Sequence, residues 1–195
     1  ALQGMGGVGK TSLAAHAAYR LRTAYPDGVL WAQLDNSTPL TILQMIAGVF
    51  GEDVSPYRTL DGRSAVVRGL LAHKKALLIL DNAENSRQLR PLLPPSTGMC
   101  TALVTTRHDL AALDGRPRLH LHSFPADGDT VLALFDHFLG ETAVRDQKQI
   151  LRRMADQVGH LPLALALLAA QLAQADSAQE IATTAARLTD EAARL

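Results

Sequence analysis

The residues of this chain best suited to chemistry stand near its start. Gly4 to Thr11 reads GMGGVGKT, four glycines around one lysine and one threonine. That spacing is the pattern G-x-x-x-x-G-K-[ST] of a loop that cradles phosphate. Such a loop must curl until successive backbone N–H groups point inward at phosphate oxygens, and side chains would block the approach. Gly6, Gly7 and Gly9 leave the space open, and Gly4 and Val8 complete the cradle. The helix that follows aims its partial positive N-terminus at the same oxygens. Lys10 is placed to neutralise the β- and γ-phosphates, and the Thr11 hydroxyl to reach Mg²⁺.

Two further charged residues fit the same chemistry. Asp81 follows the apolar run LLIL at the end of an expected strand, where a protein with such a loop places the acid that holds Mg²⁺. Thr11 and Asp81 are thus the expected metal residues, and Lys10, Asp81 and Arg107 the expected catalytic ones. Beside Asp81 stands Asn82, an amide that cannot take a proton as a carboxylate would, so hydrolysis is expected to be slow if the general base belongs there. Glu84 is the nearest other carboxylate, read either as a base or as a solvated residue at a helix start. Arg107 closes the run VTTR, and its planar fork can report whether a terminal phosphate is present.

These groups need a scaffold that gathers them. Ala1 to Gln3 reads as the stub of a strand, Lys10 to Tyr25 as a helix, and Val29 to Leu34 as a strand covered on both faces. Asn36, Ser37 and Thr38 offer helix caps before Pro39, and the apolar stretch that follows runs to Phe50. Leu60 to Ala72 is an amphipathic helix, and Ala76 to Leu80 is the clearest buried strand. Ser86 to Leu93 is a short helix stopped by Pro94 and Pro95, Cys100 to Thr105 a strand, and Arg118 to His122 a weaker one. Ligands bind beyond the carboxyl ends of parallel strands, which is where Lys10, Asp81 and Arg107 all fall.

After residue 125 the strand signals cease. Helical patterns follow at Thr130 to Leu139, Ala143 to Val158, Leu161 to Gln174 and Ala178 to Leu195. The expected fold is therefore α/β, a P-loop NTPase sheet of parallel strands with helices on both faces, followed by a small all-helical subdomain. The expected boundaries are 1–125 for the nucleotide-binding domain, its first strand truncated, and 126–195 for the helical one. The glycine loop begins too early to leave room for a full first strand, so a fragment of a longer chain is expected.

Composition narrows the partners. Lys plus Arg number 19, as do Asp plus Glu, giving a net charge of zero among 195 residues. The general attraction to a phosphate backbone has no evident source, and no nucleic acid is expected to bind directly. The single cysteine, Cys100, precludes an intrachain disulfide and fits a cytoplasmic setting. The richest apolar stretch, Leu161 to Ala173, falls short of the roughly 20 residues that span a bilayer. His120 and His122 alternate on the weak strand, and either pair at an edge or begin a metal site. Asp127 and Asp129 read as helix caps, His160 as a helix-start residue or a nucleotide neighbour, and Cys100 as inert core. The stripe Leu161, Leu165, Leu168 and Leu172 reads as bundle packing or as a partner-binding groove.

Four motifs in order, GMGGVGKT, LLILDN, LVTTR and GHLPLAL, resemble the NB-ARC class of signal-transduction ATPases over residues 1 to 175. The resemblance implies a switch that holds ADP in an off state and opens when ATP replaces it. It implies that Pro162, in the position of the GLPL proline, touches adenine, and that Ala166 one turn on lies near the same ligand. It implies that Arg107 is the sensor arginine and that the backbone N–H of Ser12 reaches the α-phosphate. A second acid is the family's usual residue at Asn82. A winged helix, sensor repeats and an effector domain would lie elsewhere in the full chain, and self-association could depend on nucleotide. Outside this class, a catalytic P-loop enzyme would fit the loop, as a small-molecule kinase or an AAA+ type motor ATPase.

Overall fold

The computed structural model describes residues 1–96, 98–126, 129–175, 180–181, 183–185 and 187. Two compact units divide them: residues 1–6 with 10–121, and residues 7–9 with 122–195.

The first unit is built on five parallel strands: β1 (Leu2–Gln3), β2 (Val29–Gln33), β3 (Leu77–Ala83), β4 (Thr101–Thr106) and β5 (Leu119–His120). Their order across the sheet is β2-β3-β4-β1-β5. The run LLIL makes β3 a central strand because its side chains alternate between two apolar layers. Leu77 and Ile79 pack with Leu2 and with Ala14 and Ala18 of helix α1 (Lys10–Leu21), whose small side chains suit close approach to the sheet. Leu78 and Leu80 point the other way. They join Ile42, Leu43 and Ile46 of α2 (Pro39–Val49) and Val67 and Leu71 of α3 (Leu60–Leu71). Helices thus cover both faces of the sheet.

Caps fix where the helices start. Of the three residues offered before α2, Thr38 is the one used: its hydroxyl accepts the Thr41 N–H at 3.2 Å, and Pro39 fills the first turn. Thr59 does the same for α3, accepting the Gly62 N–H at 3.2 Å.

Several expected elements differ from those observed. β2 alternates instead of being buried throughout, with Leu30 and Ala32 inside and Val29 and Gln33 exposed. It is an edge strand, so its outer residues lack the cover that β3 has. α1 stops at Leu21 and tightens into a 3₁₀ turn over Arg22–Ala24. The expected helix from Ser86 is four residues, α4 (Ser86–Leu89), followed by a 3₁₀ turn at Arg90–Leu92. β3 runs on through Asp81 and Asn82 to Ala83, past the expected end at Leu80. β5 keeps only Leu119 and His120, both exposed, so His122 lies beyond the strand and the alternation expected of the two histidines does not arise.

The second unit packs α5 (Asp129–Leu139) against α6 (Glu141–Gln157) and α7 (Pro162–Leu172). Val131, Phe135, Leu151, Met154, Leu165 and Leu172 form its core. Leu165 and Leu172 are fully buried and Leu168 packs beside them, so this stripe of α7 is internal bundle packing. Leu163 and Leu167, on the rest of the helix, are 54% and 64% exposed. Between α6 and α7 the backbone turns through two left-handed residues, Gly159 (φ 59°) and His160 (φ 56°). The His160 N–H donates to the Ala155 carbonyl at 2.9 Å, and its ring Nε2 lies 3.2 Å from Asp156 Oδ1. His160 is therefore tied to the end of α6. In the same unit the Leu163 N–H donates to the Gly7 carbonyl at 3.0 Å. A Cβ at Gly7, where φ is 76°, would stand 3.1 Å from Leu163 Cβ. Asp129 opens α5, while Asp127 and most of the expected helix Ala178 to Leu195 lie outside the described residues. Of that helix, Ile181 and Ala185 are described and buried in the bundle core.

Candidate functional site

In the first unit four sequence-predicted residues converge at the carboxyl ends of the strands. The chain leaves β1 at Gln3, and the Gly4 N–H donates to the Thr106 carbonyl at 3.3 Å, which ties the start of the loop to the end of β4. At the other end of the loop, Lys10 opens α1 and is 7% exposed. Its ammonium donates back to the Gly4 carbonyl at 2.9 Å and the Met5 carbonyl at 2.7 Å. An ammonium has three donors, so one is left for a ligand oxygen. Burial holds the Lys10 pKa below its ordinary value, and the Arg107 charge lowers it further while Asp81 opposes the change. An anion bound here would offset the cost of holding two cations close together.

Arg107 follows the last residue of β4 and lies against the loop. A Cβ at Gly6 would stand 3.2 Å from Arg107 Nη1 and 3.3 Å from Cζ, so a larger residue would make the guanidinium give way by a few tenths of an ångström.

Asp81 is 4% exposed and accepts two hydroxyl bonds. Thr11 Oγ1 donates to it at 3.0 Å (Oδ1) and 3.2 Å (Oδ2), and Thr105 Oγ1 donates to Oδ1 at 2.5 Å. A β-bulge sets this arrangement. Leu80 pairs with Val104 and Ala83 with Thr106, so Asp81 and Asn82 together oppose Thr105. The extra residue is absorbed at Asn82, whose φ of 60° is a conformation that asparagine tolerates better than most side chains. The Asn82 N–H donates to Thr105 Oγ1 at 2.8 Å, and its side-chain Nδ2 to Asp35 Oδ2 at 3.1 Å.

Thr105 and Asp35 are the site residues that sequence reasoning missed. The signal for Thr105 lies in VTTR, two residues before the arginine. Asp35 gave none, because a carboxylate after a strand is common.

The other predicted residues are more dispersed. Val8 is buried, Gly9 takes φ 96°, and Ser12 is exposed in the first turn of α1. Pro162 and Ala166 lie in α7 of the second unit, each half-buried. Past Asp81, a polar pocket of about 160 Å³ is lined by Asn82, Ala83, Glu84, Arg107 and His108. Among the described residues no group of three or more His, Cys, Asp or Glu side chains is placed to hold a metal by itself. One carboxylate and one hydroxyl, both hard oxygen donors, nonetheless match the few protein ligands that Mg²⁺ takes when a phosphate completes its shell.

A glycine loop between the first strand and first helix of a parallel sheet, with lysine, threonine, aspartate and arginine at the strand ends, defines a P-loop NTPase fold. Within that class the chain belongs to the NB-ARC domain family, whose sequence profile matches residues 1–119. It is 38% identical over its whole length to the regulatory protein AfsR of Streptomyces coelicolor and 36% identical to that of Streptomyces griseus. It spans 20% of the length of each. Among solved structures the fold resembles a chain from the Drosophila ORC bound to DNA, with a TM-score of 0.58 and 13% identity. That match covers 100% of this chain and 61% of the other. It also resembles a Walker-type ATPase of Pyrococcus abyssi, with a TM-score of 0.51, 12% identity, and 96% and 66% of the two chains covered. No described helix is long and apolar enough to cross a membrane.

Proposed function

We propose that this chain is the nucleotide-operated switch of a larger regulatory protein, binding ADP or MgATP and hydrolysing ATP slowly at most. The observation that carries the reading is the meeting of Lys10, Thr11, Asp81 and Arg107 at one end of one sheet, with one lysine donor unspent. In this reading Lys10 and the loop N–H groups of Gly4 to Gly9 hold the phosphates, and the Ser12 N–H adds a contact to the α-phosphate. Thr11 and Asp81 hold Mg²⁺, which when bound would neutralise charge building up between the β- and γ-phosphates. Arg107 reads the terminal phosphate.

In this reading residues 1–125 are the nucleotide-binding domain and 126–195 the helical one, which carries Pro162 and Ala166 at the family's adenine-side positions. The partners are other domains of the same polypeptide, among them a winged helix, sensor repeats and an effector, and self-association follows the nucleotide state. The lone cysteine and the family point to the cytoplasm.

Two measurements test the core of this reading. Nucleotide released from the denatured protein, identified by mass spectrometry, is expected to be ADP. Titration calorimetry is expected to show ADP and MgATP binding that Lys10→Ala removes, because charge-assisted bonds to phosphate are lost. Undiminished binding by that variant would overturn the assignment.

A further inference from the structure

Hydrolysis of ATP is accelerated by a group that orients the attacking water and takes its proton, and the residue next to Asp81 is an amide. We propose that Glu84 is this catalytic base, acting in the pocket it shares with Arg107. The inference rests on the nucleotide-binding reading above.

Asp81 is buried and already accepts the Thr11 and Thr105 hydroxyls. Asn82 has no acidic function, and its side chain is turned to Asp35 at 3.1 Å. In this side-chain orientation Asn82→Asp would set a second carboxylate beside that of Asp35. Asp35 receives that amide and is not among the residues lining the pocket.

Glu84 lines the pocket of about 160 Å³ with Arg107 and His108. Arg107 also lies against Gly6 of the phosphate loop, so one guanidinium borders both the loop and the pocket. The pocket exceeds the roughly 30 Å³ that one water occupies in the liquid, so it has room for water. The Glu84 backbone is anchored as well. Its N–H donates to Gln88 Oε1 at 3.3 Å, and Asn85 caps the turn that follows by accepting the Gln88 N–H at 2.9 Å. The Gln88 side chain also donates to the Leu34 carbonyl. The left-handed Asn82 sets the direction in which the chain leaves β3 toward this anchor.

In the step, the water oxygen forms a bond to the γ-phosphorus while the bond from that phosphorus to the bridging oxygen breaks. The bond electrons leave with ADP, and the water proton passes to a Glu84 carboxylate oxygen. Arg107 offsets negative charge on the phosphoryl oxygens.

The test compares Glu84→Gln, His108→Gln and Asn82→Asp with the parent chain. Single-turnover ATP hydrolysis, equilibrium ATP affinity and the identity of the bound nucleotide are read for each. Glu84→Gln is expected to lower the hydrolysis rate about 100-fold, the low end of what a general base supplies. ATP affinity should stay within about twofold, a split that marks loss in the chemical step alone. Bound nucleotide should shift from ADP to ATP. Asn82→Asp should give no gain in rate, and His108→Gln should keep most of the activity. Hydrolysis unchanged in Glu84→Gln, lost instead in His108→Gln, or absent from a parent chain that binds MgATP would each overturn the role of Glu84. Failure of the parent chain to bind ATP would overturn the nucleotide-binding reading and this inference with it.

Discussion

Arg107 sits at a glycine, not at an acid. Its guanidinium touches the space above Gly6, and no ion pair between it and a carboxylate was found among the described residues. A cation held against a loop of N–H groups suits a ligand of high negative charge, and ATP carries one more phosphate than ADP. Arg107→Ala is therefore expected to weaken ATP more than ADP, by about tenfold where one charge-assisted contact of about 1.5 kcal/mol is lost. Equal losses for the two nucleotides in calorimetry would remove the sensing role. The residues that carry chemistry were the most legible part of the sequence, because GMGGVGKT constrains both type and spacing. Thr105 was less so. A threonine on a strand is ordinary, and it acquires a role only because a bulge in the neighbouring strand β3 brings Asp81 and Asn82 to face it.

Among the elements, type was legible and extent was not. The LLIL run announced a strand, yet β3 continues through a polar pair that no alternation would keep in a ladder. The β2 run looked like a strand covered on both faces because its composition is apolar. Its place at the sheet edge, which depends on strand order, leaves Val29 and Gln33 exposed. Helix starts were more readable, since a cap is a local device. Thr38→Ala leaves the Thr41 N–H without its acceptor and is expected to destabilise the first unit by about 1 kcal/mol. A chemical-denaturation midpoint equal to that of the parent would show that a neighbouring residue takes over the cap.

For the whole molecule, the distinction between a sheet-based part and a helical part was legible from where the strand signals stop. What composition could not give is the grouping of residues 7–9 with the helical unit, since it arises from packing between segments far apart in sequence. Cys100 offers a probe of the first unit as a cooperative whole. It is 7% exposed just before β4, and burial pushes its thiol up to about 11. Alkylation at pH 8 is expected to be slow in the native chain and fast after denaturation, because the thiolate is the reacting form. Rapid labelling of the native chain would contradict the burial. The same shift works on stability in one direction only. Between the ordinary thiol range and about 11 the unfolded chain releases a proton that the folded chain keeps, so stability is retained at neutral pH and falls as pH rises through that window.

The Thr105 hydroxyl has a consequence for how the sheet and the site can fail. One oxygen accepts the backbone N–H of Asn82, as a rung between neighbouring strands would, and its proton goes to the Asp81 carboxylate. Strand pairing and carboxylate orientation are thereby soldered at a single atom. Slippage of β3 along β4 by one residue, in the direction that sets Asn82 opposite Val104, would put an apolar neighbour there and strip the acid of its buried donor in the same stroke. The sheet thus acts as its own alignment gauge, because the observed register is the one that sets the Thr105 hydroxyl against Asp81.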